Sequence, residues 1–220
     1  MKKLIVIDGL DGSGKATQAK ILKDTLKEKG KFVKQIEYPR YESDSSALVR
    51  LYLDGKISEN PFEVNAYAAT SFYACDHYIG YKTDWERDYL EGKTIISDRY
   101  VSSNAIHQMV KLPKTEWNYF ISWLYDYEIL KLGLPKETCL IYLDLNPVVS
   151  QNLINTRCNK SKKKDIHEKN LEYLIKCREA AIYSSKLMGW NVIKCDCEDG
   201  VLPVEKISQK IIKLINNLNF

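Results

Sequence analysis

Three short runs decide what this chain can fold into. Residues 4–8 (LIVID), 94–98 (TIISD) and 139–145 (CLIYLDL) are nearly unbroken in apolar, β-favouring side chains. A strand that is apolar on both faces has to be covered on both, which is the situation inside a parallel sheet and not in a half-solvated antiparallel one. Two further β-rich runs, 31–38 (KFVKQIEY) and 191–196 (NVIKCD), are more mixed. Between these runs lie segments of helical period. In 15–30, Ala19, Leu22 and Leu26 share one face and Gly30 supplies a stop. Segment 60–82 is expected to open with Asn60 as N-cap and Pro61 in the first turn. Segments 169–190 and 203–218 also repeat at helical spacing. Strand alternating with helix predicts a doubly wound α/β fold. With no internal repeat, low-complexity tract or linker in its 220 residues, the chain is expected to be one domain over 1–220.

Composition narrows the function classes. Apolar residues make up 45% and charged residues 28%, the balance of a folded globular protein. A net charge of +4 suits an anionic small substrate but is too small to define a nucleic-acid binder. The six cysteines, Cys75, Cys139, Cys158, Cys177, Cys195 and Cys197, contain no CxxC pair, and Cys195 and Cys197 are wrongly spaced for zinc. Free thiols in a reducing compartment are expected, and no metal site built from side-chain ligands. The first apolar run ends at Asp8, too early for a signal peptide. No segment approaches the ~18 consecutive apolar residues of a membrane span. The expected setting is the cytoplasm, with no membrane and no nucleic acid as partner.

The chemistry starts in the first turn. Gly9, Leu10, Asp11, Gly12, Ser13, Gly14 and Lys15 (GLDGSGK) match GxxxxGK. By chance that loose pattern turns up in roughly one chain in fifteen of this length, so its context matters: a buried-type strand enters the loop and a helix leaves it. Glycines let successive backbone N–H groups point inward at phosphate oxygens, and the helix adds its positive end. Lys15 supplies a point charge for the outer phosphates. Ala16 stands where a Ser or Thr hydroxyl ordinarily meets magnesium. Thr17 is one residue on, rotated by about 100° around the helix, so it points elsewhere. Because Mg²⁺ keeps several waters, a water can take the empty position. Ala16 is therefore expected to weaken the metal site without abolishing catalysis.

Further motifs follow in order: YPRYESDSS (38–46), FYACDH (72–77) and DRYVSSNAIHQ (98–108). Together with GLDGSGKATQ (9–18), they resemble the thymidylate kinases across essentially the whole chain. That resemblance implies a three-layer P-loop kinase fold with a five-stranded parallel sheet, helices on both faces and a lid. It implies ATP and Mg²⁺ as cofactors, transfer of the γ-phosphoryl group to dTMP, and a homodimer. It also implies residue roles. Lys15, Asp11, Asp98 and Arg99 are the catalytic candidates, with Arg99 gripping the acceptor phosphate and Asp98 orienting Arg99 or supporting a magnesium water. Residues 9–17 hold ATP. Tyr73 stacks on the base and His77, four residues later, replaces an arginine that reaches it. Phe72 lies beside them. Ser103 and Gln108 belong to the acceptor site, as does His107, which stands where an aromatic crowds the sugar 2′ side. Pro39 and Arg40 line the acceptor phosphate site. Arg50, further along that stretch, reads as a surface residue.

The residues support this chemistry on their own terms. A nucleoside monophosphate is largely a dianion at pH 7 and needs no strong general base. What it needs is cations converging from several directions. Lys15 and Arg99 are two, and the basic run 157–168 (RCNKSKKKDIHE), which reads as a lid, offers Arg157 and its lysines as others. Taken alone that run is a solvated loop, and Asp98–Arg99 alone is a surface ion pair at a strand end. Two rivals remain at this level: a deoxynucleoside kinase, and a nucleotide-binding module whose catalysis failed with Ala16.

Overall fold

The computed structural model of the chain describes residues 2–158, 165–197 and 200–218, and the side chains of all of these except 154–158. Its centre is β1 (Lys3–Gly9), flanked by β3 (Thr94–Asp98) and β4 (Cys139–Asp144), with β2 (Val33–Glu37) and β5 (Asn191–Lys194) outside them. The order is β2-β3-β1-β4-β5 and every pairing is parallel, with Ile5 level with Ile96 on one side and Cys139 on the other. The continuous apolar runs thus occupy the three inner positions, where both faces are covered.

The period of two shows in β1 itself. Leu4 and Val6 face one cluster, with Tyr100, Phe120, Tyr142 and Tyr173; Ile5 and Ile7 face the other, with Leu22, Ile141 and Ile211. The first cluster is covered by α5 (Val101–His107), α6 (Trp117–Tyr125) and α8 (Leu171–Met188), the second by α1 (Lys15–Glu28) and α9 (Val204–Asn217). Three layers result. A third, smaller cluster joins α2 (Ala47–Leu53) and α3 (Ala66–Gly80) around Val49, Tyr52 and Ile166, beyond the C-terminal ends of β2 and β3. The chain also forms α4 (Glu86–Leu90), α7 (Pro147–Cys158) and a short hairpin of β6 (Asp196–Cys197) and β7 (Gly200–Val201).

The expected helix over 60–82 is corrected at both ends. Asn60 caps only a turn, its Oδ1 accepting from Phe62 N at 3.1 Å. The helix starts at Ala66, where the Oδ1 of Asn65 accepts from Tyr67 N and Ala68 N at 2.8 and 3.2 Å. Two Asn residues competed for one N-cap, and the one satisfying two free N–H groups won. After Gly80 the chain continues through one π-helical turn, Tyr81–Trp85, into α4. Gly30 does end α1, with φ +74° and its N–H on Lys27 O at 2.9 Å.

Candidate active site

The C-terminal ends of β1 and β3 bring the motifs together. The phosphate loop leaves β1 so closely that a Cβ on Gly9 would lie 2.8 Å from Leu143 O. It enters α1 through Gly14, at φ +90°. Both conditions select glycine. Lys15 is buried, donates to Leu10 O at 3.0 Å and lies 3.6 Å from Asp11 Oδ1. Burial lowers the pKa of its ammonium, with Arg99 adding to the effect. Ser150, on α7, pins the loop by donating its hydroxyl to Asp11 O. Ala16 and Thr17 are both exposed at the start of α1.

Arg99 is the hub. It follows β3 directly and adopts φ +65°, a backbone angle that costs a non-glycine residue on the order of 1–2 kcal/mol. That turn redirects the chain from strand to helix and carries the guanidinium back over the phosphate loop. One amino group meets the Asp11 carboxylate; the other lies 3.2 Å from His107 Nε2, 3.5 Å from Ser103 Oγ and 3.7 Å from Asp8 Oδ1. Asp8 is wholly buried and accepts from Gly9 N at 2.8 Å, Ser102 Oγ at 2.6 Å and Ser103 Oγ at 2.9 Å. Burial resists ionisation of Asp11, but Arg99 and Lys15 outweigh it and hold the carboxyl well below the usual range. Burial pushes the His107 imidazole down to about 3, helped by Arg99, so the ring is neutral and accepts the arginine N–H at Nε2. The expectation that Asp98 orients Arg99 is thereby corrected: Asp11 and Asp8 do so. Asp98 keeps one buried oxygen, Oδ1, without a partner, and burial raises its pKa despite Lys15 and Arg99 nearby. That oxygen and Ser13 Oγ are two buried side-chain atoms at the loop without a hydrogen-bond partner, placed to meet a hydrated cation or a phosphate.

Beyond Arg99 opens a chamber of about 230 Å³. Arg99, Asp11 and Ser103 form its polar end. Tyr73, His77, Pro39, His107 and Gln108, all expected from the sequence, line the rest. Two expected contacts are not made. Phe72 turns toward the α2–α3 cluster, 6.4 Å from the Tyr52 ring, and does not line the chamber. Arg40 lines an outer cleft instead; its N–H donates to Asp76 Oδ2 at 2.9 Å and its side chain reaches Thr83. Arg50 is no mere surface residue. Its guanidinium donates to Tyr41 O, Ser43 O and Ser46 Oγ, each at 2.7 Å, and so holds the loop after β2. Within the expected lid, 159–164 and the Arg157 side chain lie outside the described residues.

Further residues line the chamber. Asn104 sits one helical turn before Gln108. Asp165, His167 and Glu168 close the chamber from the end of the lid segment, which sequence reading treated as a basic run. His167 is buried, stacks parallel on His107 at 5.5 Å and lies 2.8 Å from Tyr52 Oη, which accepts in turn from Lys111 Nζ at 2.9 Å. Charge density hid the acids; the i, i+3 pair Asp165 and Glu168 at the end of the lysines was the available clue.

A loop that cradles phosphate, one arginine between it and an enclosed chamber, and polar side chains along the chamber wall make a site for two anionic ligands end to end. Known proteins resemble the chain over most of its length. A profile of the thymidylate kinase family matches residues 7–211. A thymidylate kinase of Mycobacterium tuberculosis is 27% identical over 212 residues, covering 90% of this chain and 94% of its own. A probable thymidylate kinase of Thermococcus kodakarensis is 30% identical over 223 residues, covering 97% of each. Among solved structures, that of the Candida albicans thymidylate kinase superposes with a TM-score of 0.70 at 21% identity, over 99% of this chain and 92% of that one, which shows a shared fold. The chain belongs to the thymidylate kinase family of phosphotransferases.

Proposed function

We propose that the chain transfers the γ-phosphoryl group of ATP to dTMP, giving dTDP and ADP. The carrying observation is the position of Arg99, fixed by Asp11 and Asp8 between the phosphate loop and the enclosed chamber. An oxygen of the dTMP phosphate attacks the γ-phosphorus, a new P–O bond forms, and the bond to the β–γ bridging oxygen breaks as ADP leaves. The attacking phosphate is already anionic, so the protein abstracts no proton. It aligns two anions and neutralises the charge spreading over the moving group. Lys15 does this from the ATP side and Arg99 from the acceptor side. Mg²⁺ fits the donors present through water: Asp98 Oδ1 is a buried oxygen without a partner, while Ala16 offers no ligand. When bound, the ion supplies further positive charge at the phosphates.

Among the described residues no helix is long and apolar enough to cross a membrane. The homodimer belongs to the same proposal. Tyr78 and Ile79 on α3 are 40% and 41% exposed, apolar surface that a second copy would cover, and sedimentation velocity would detect the pairing.

The deciding assay is a panel of nucleoside monophosphates plus thymidine with ATP, followed by ADP release. Turnover with dTMP is expected. Turnover with thymidine alone would replace this reading by a nucleoside kinase, and ATP binding without any turnover by a nucleotide-binding module.

A further inference from the structure

Beneath the chamber lies a carboxylate with no part in phosphate binding. Glu128 sits in a π-helical turn, Asp126–Lys131, after α6 and is fully buried. Its Oε2 is 2.7 Å from His77 Nδ1 and its Oε1 accepts from Asn104 Nδ2 at 2.8 Å. Both partners line the chamber, His77 from α3 and Asn104 from α5. One buried side chain therefore touches two of the groups that line the chamber.

With its two oxygens accepting, the carboxylate takes one N–H from each partner, His77 Nδ1 and Asn104 Nδ2. For His77 this puts a hydrogen on Nδ1 and leaves Nε2 for the chamber. The ring is held in place as well: the Tyr38 ring packs edge-on at 4.7 Å, and Tyr38 Oη, donating to His77 O at 3.2 Å, accepts from Trp85 Nε1 at 2.9 Å. For Asn104 the consequence is sharper. One N–H of its NH₂ is committed to Glu128, and that fixes the amide with its carbonyl turned away from the carboxylate. An amide otherwise presents either end by turning over; here turning over would set carbonyl against carboxylate, so the acceptor end stays where it is.

We propose that Glu128 is the positioning residue that sets which pyrimidine edge the chamber takes. The inference rests on the reading of this chamber as the acceptor-base site. A fixed acceptor pairs with a ring N–H, which thymine and uracil carry at N3. Cytosine carries a lone pair at N3 and meets the Asn104 carbonyl as acceptor against acceptor. A site built for one hydrogen-bond pattern rejects the other because its buried groups are then left unpaired. Glu128 achieves this without touching the nucleotide.

The test is Glu128→Gln, which keeps the shape and puts an NH₂ donor in place of one acceptor oxygen. Its amide has one donor end and one acceptor end, so in either orientation one of the two partners must present a different face. The kcat/KM ratio of dTMP to dCMP is expected to fall on the order of tenfold or more. The KM for dTMP should rise more than kcat falls, dUMP should follow dTMP, and the KM for ATP should stay within about twofold. A merely structural residue would lower activity with dTMP, dUMP and dCMP alike, so an unchanged ratio overturns the proposal. A second measurement needs no variant: ¹⁵N NMR of the wild-type histidine side chains should find His77 Nδ1 carrying a hydrogen, and a bare Nδ1 overturns the proposal equally. A wild type inactive toward dTMP would instead defeat the parent reading, and this one with it.

Discussion

Replacing Arg99 by lysine tests the geometry of the site more sharply than removing it. The guanidinium is 14% exposed and spends its two amino groups in different directions, one on Asp11 and the other toward His107, Ser103 and Asp8. A fork can keep an anchor and still grip a phosphate; an ammonium on a flexible stem is a single point and has to choose. The substitution keeps the charge beside two carboxylates and keeps the same backbone requirement at φ +65°, which weighs on lysine as on arginine. What it loses in the transition state is one charge-assisted hydrogen bond, worth about 1.5–3 kcal/mol, or roughly 10- to 150-fold in rate at 1.36 kcal/mol per tenfold. Titrating dTMP at saturating ATP should show kcat/KM lowered by that factor, with the KM for ATP within about twofold and little change in Tm. Arg99→Ala should add a fall in Tm, because the wholly buried Asp8 then loses its counter-charge. Its three remaining donors, Gly9 N, Ser102 Oγ and Ser103 Oγ, keep the loss toward the low end of the usual 3–5 kcal/mol. Wild-type kcat/KM for Arg99→Lys would refute the placement of Arg99 at the acceptor phosphate.

Three other outcomes are expected. Lys15→Ala should lower kcat by roughly 10²-fold or more, read in the same ADP-release assay; unchanged turnover would remove the loop from the chemistry. Ala16→Ser should lower the Mg²⁺ concentration giving half-maximal rate, and an unchanged requirement would mean that the missing hydroxyl is immaterial. The third concerns Lys111, whose ammonium burial pushes down to about 7 from its ordinary 10.5. Its folded pKa lies below its unfolded one, so between these values the unfolded chain holds a proton that the fold has released, and this group's contribution to stability rises with pH. Lys111→Met should therefore raise Tm relative to wild type most below about pH 7. The difference should shrink toward pH 10, and a difference flat across that range would refute the assignment.

The parts of the molecule legible in the sequence were those set by local rules. β1, β3 and β4 announce themselves because burial on both faces demands an unbroken apolar run. The phosphate loop is legible because backbone curvature demands glycine at fixed places. Elements held by long-range contacts were not legible. α6 carries aromatic residues, Trp117 and Trp123, whose partners lie on α8 and α3, and the place of the π-helical turn after it is set by that packing. The choice between Asn60 and Asn65 as cap went to the side chain that satisfies two free N–H groups, which the residue type alone does not distinguish. In the site the division is the same. Arg99 and Lys15 sit in recognisable motifs, whereas Glu128 acts from 51 residues beyond His77, and its role exists only once α3, α5 and the π-turn are packed.

Charge explains why the proposed reaction needs cations beyond Lys15 and Arg99. Around the phosphate loop stand three carboxylates, Asp8, Asp11 and Asp98, against two cations, Lys15 and Arg99. His107 is neutral. By itself this cluster holds more carboxyl groups than cations, and Asp165 and Glu168 add two more at the chamber wall. Asp165 records the strain: burial, with the Asp11 charge second, raises its carboxyl to about 7. Two nucleotides brought into such a site add several negative charges in surroundings that screen poorly. Lys15 and Arg99 are pre-aimed but already engaged by the acids that aim them. The further neutralisation has to arrive with the ligands, as the magnesium that accompanies ATP, or with the basic segment between α7 and α8. On this view the acids are not spectators. They hold the two cations in position while the site is empty, and the phosphates then compete for cations whose geometry is already set.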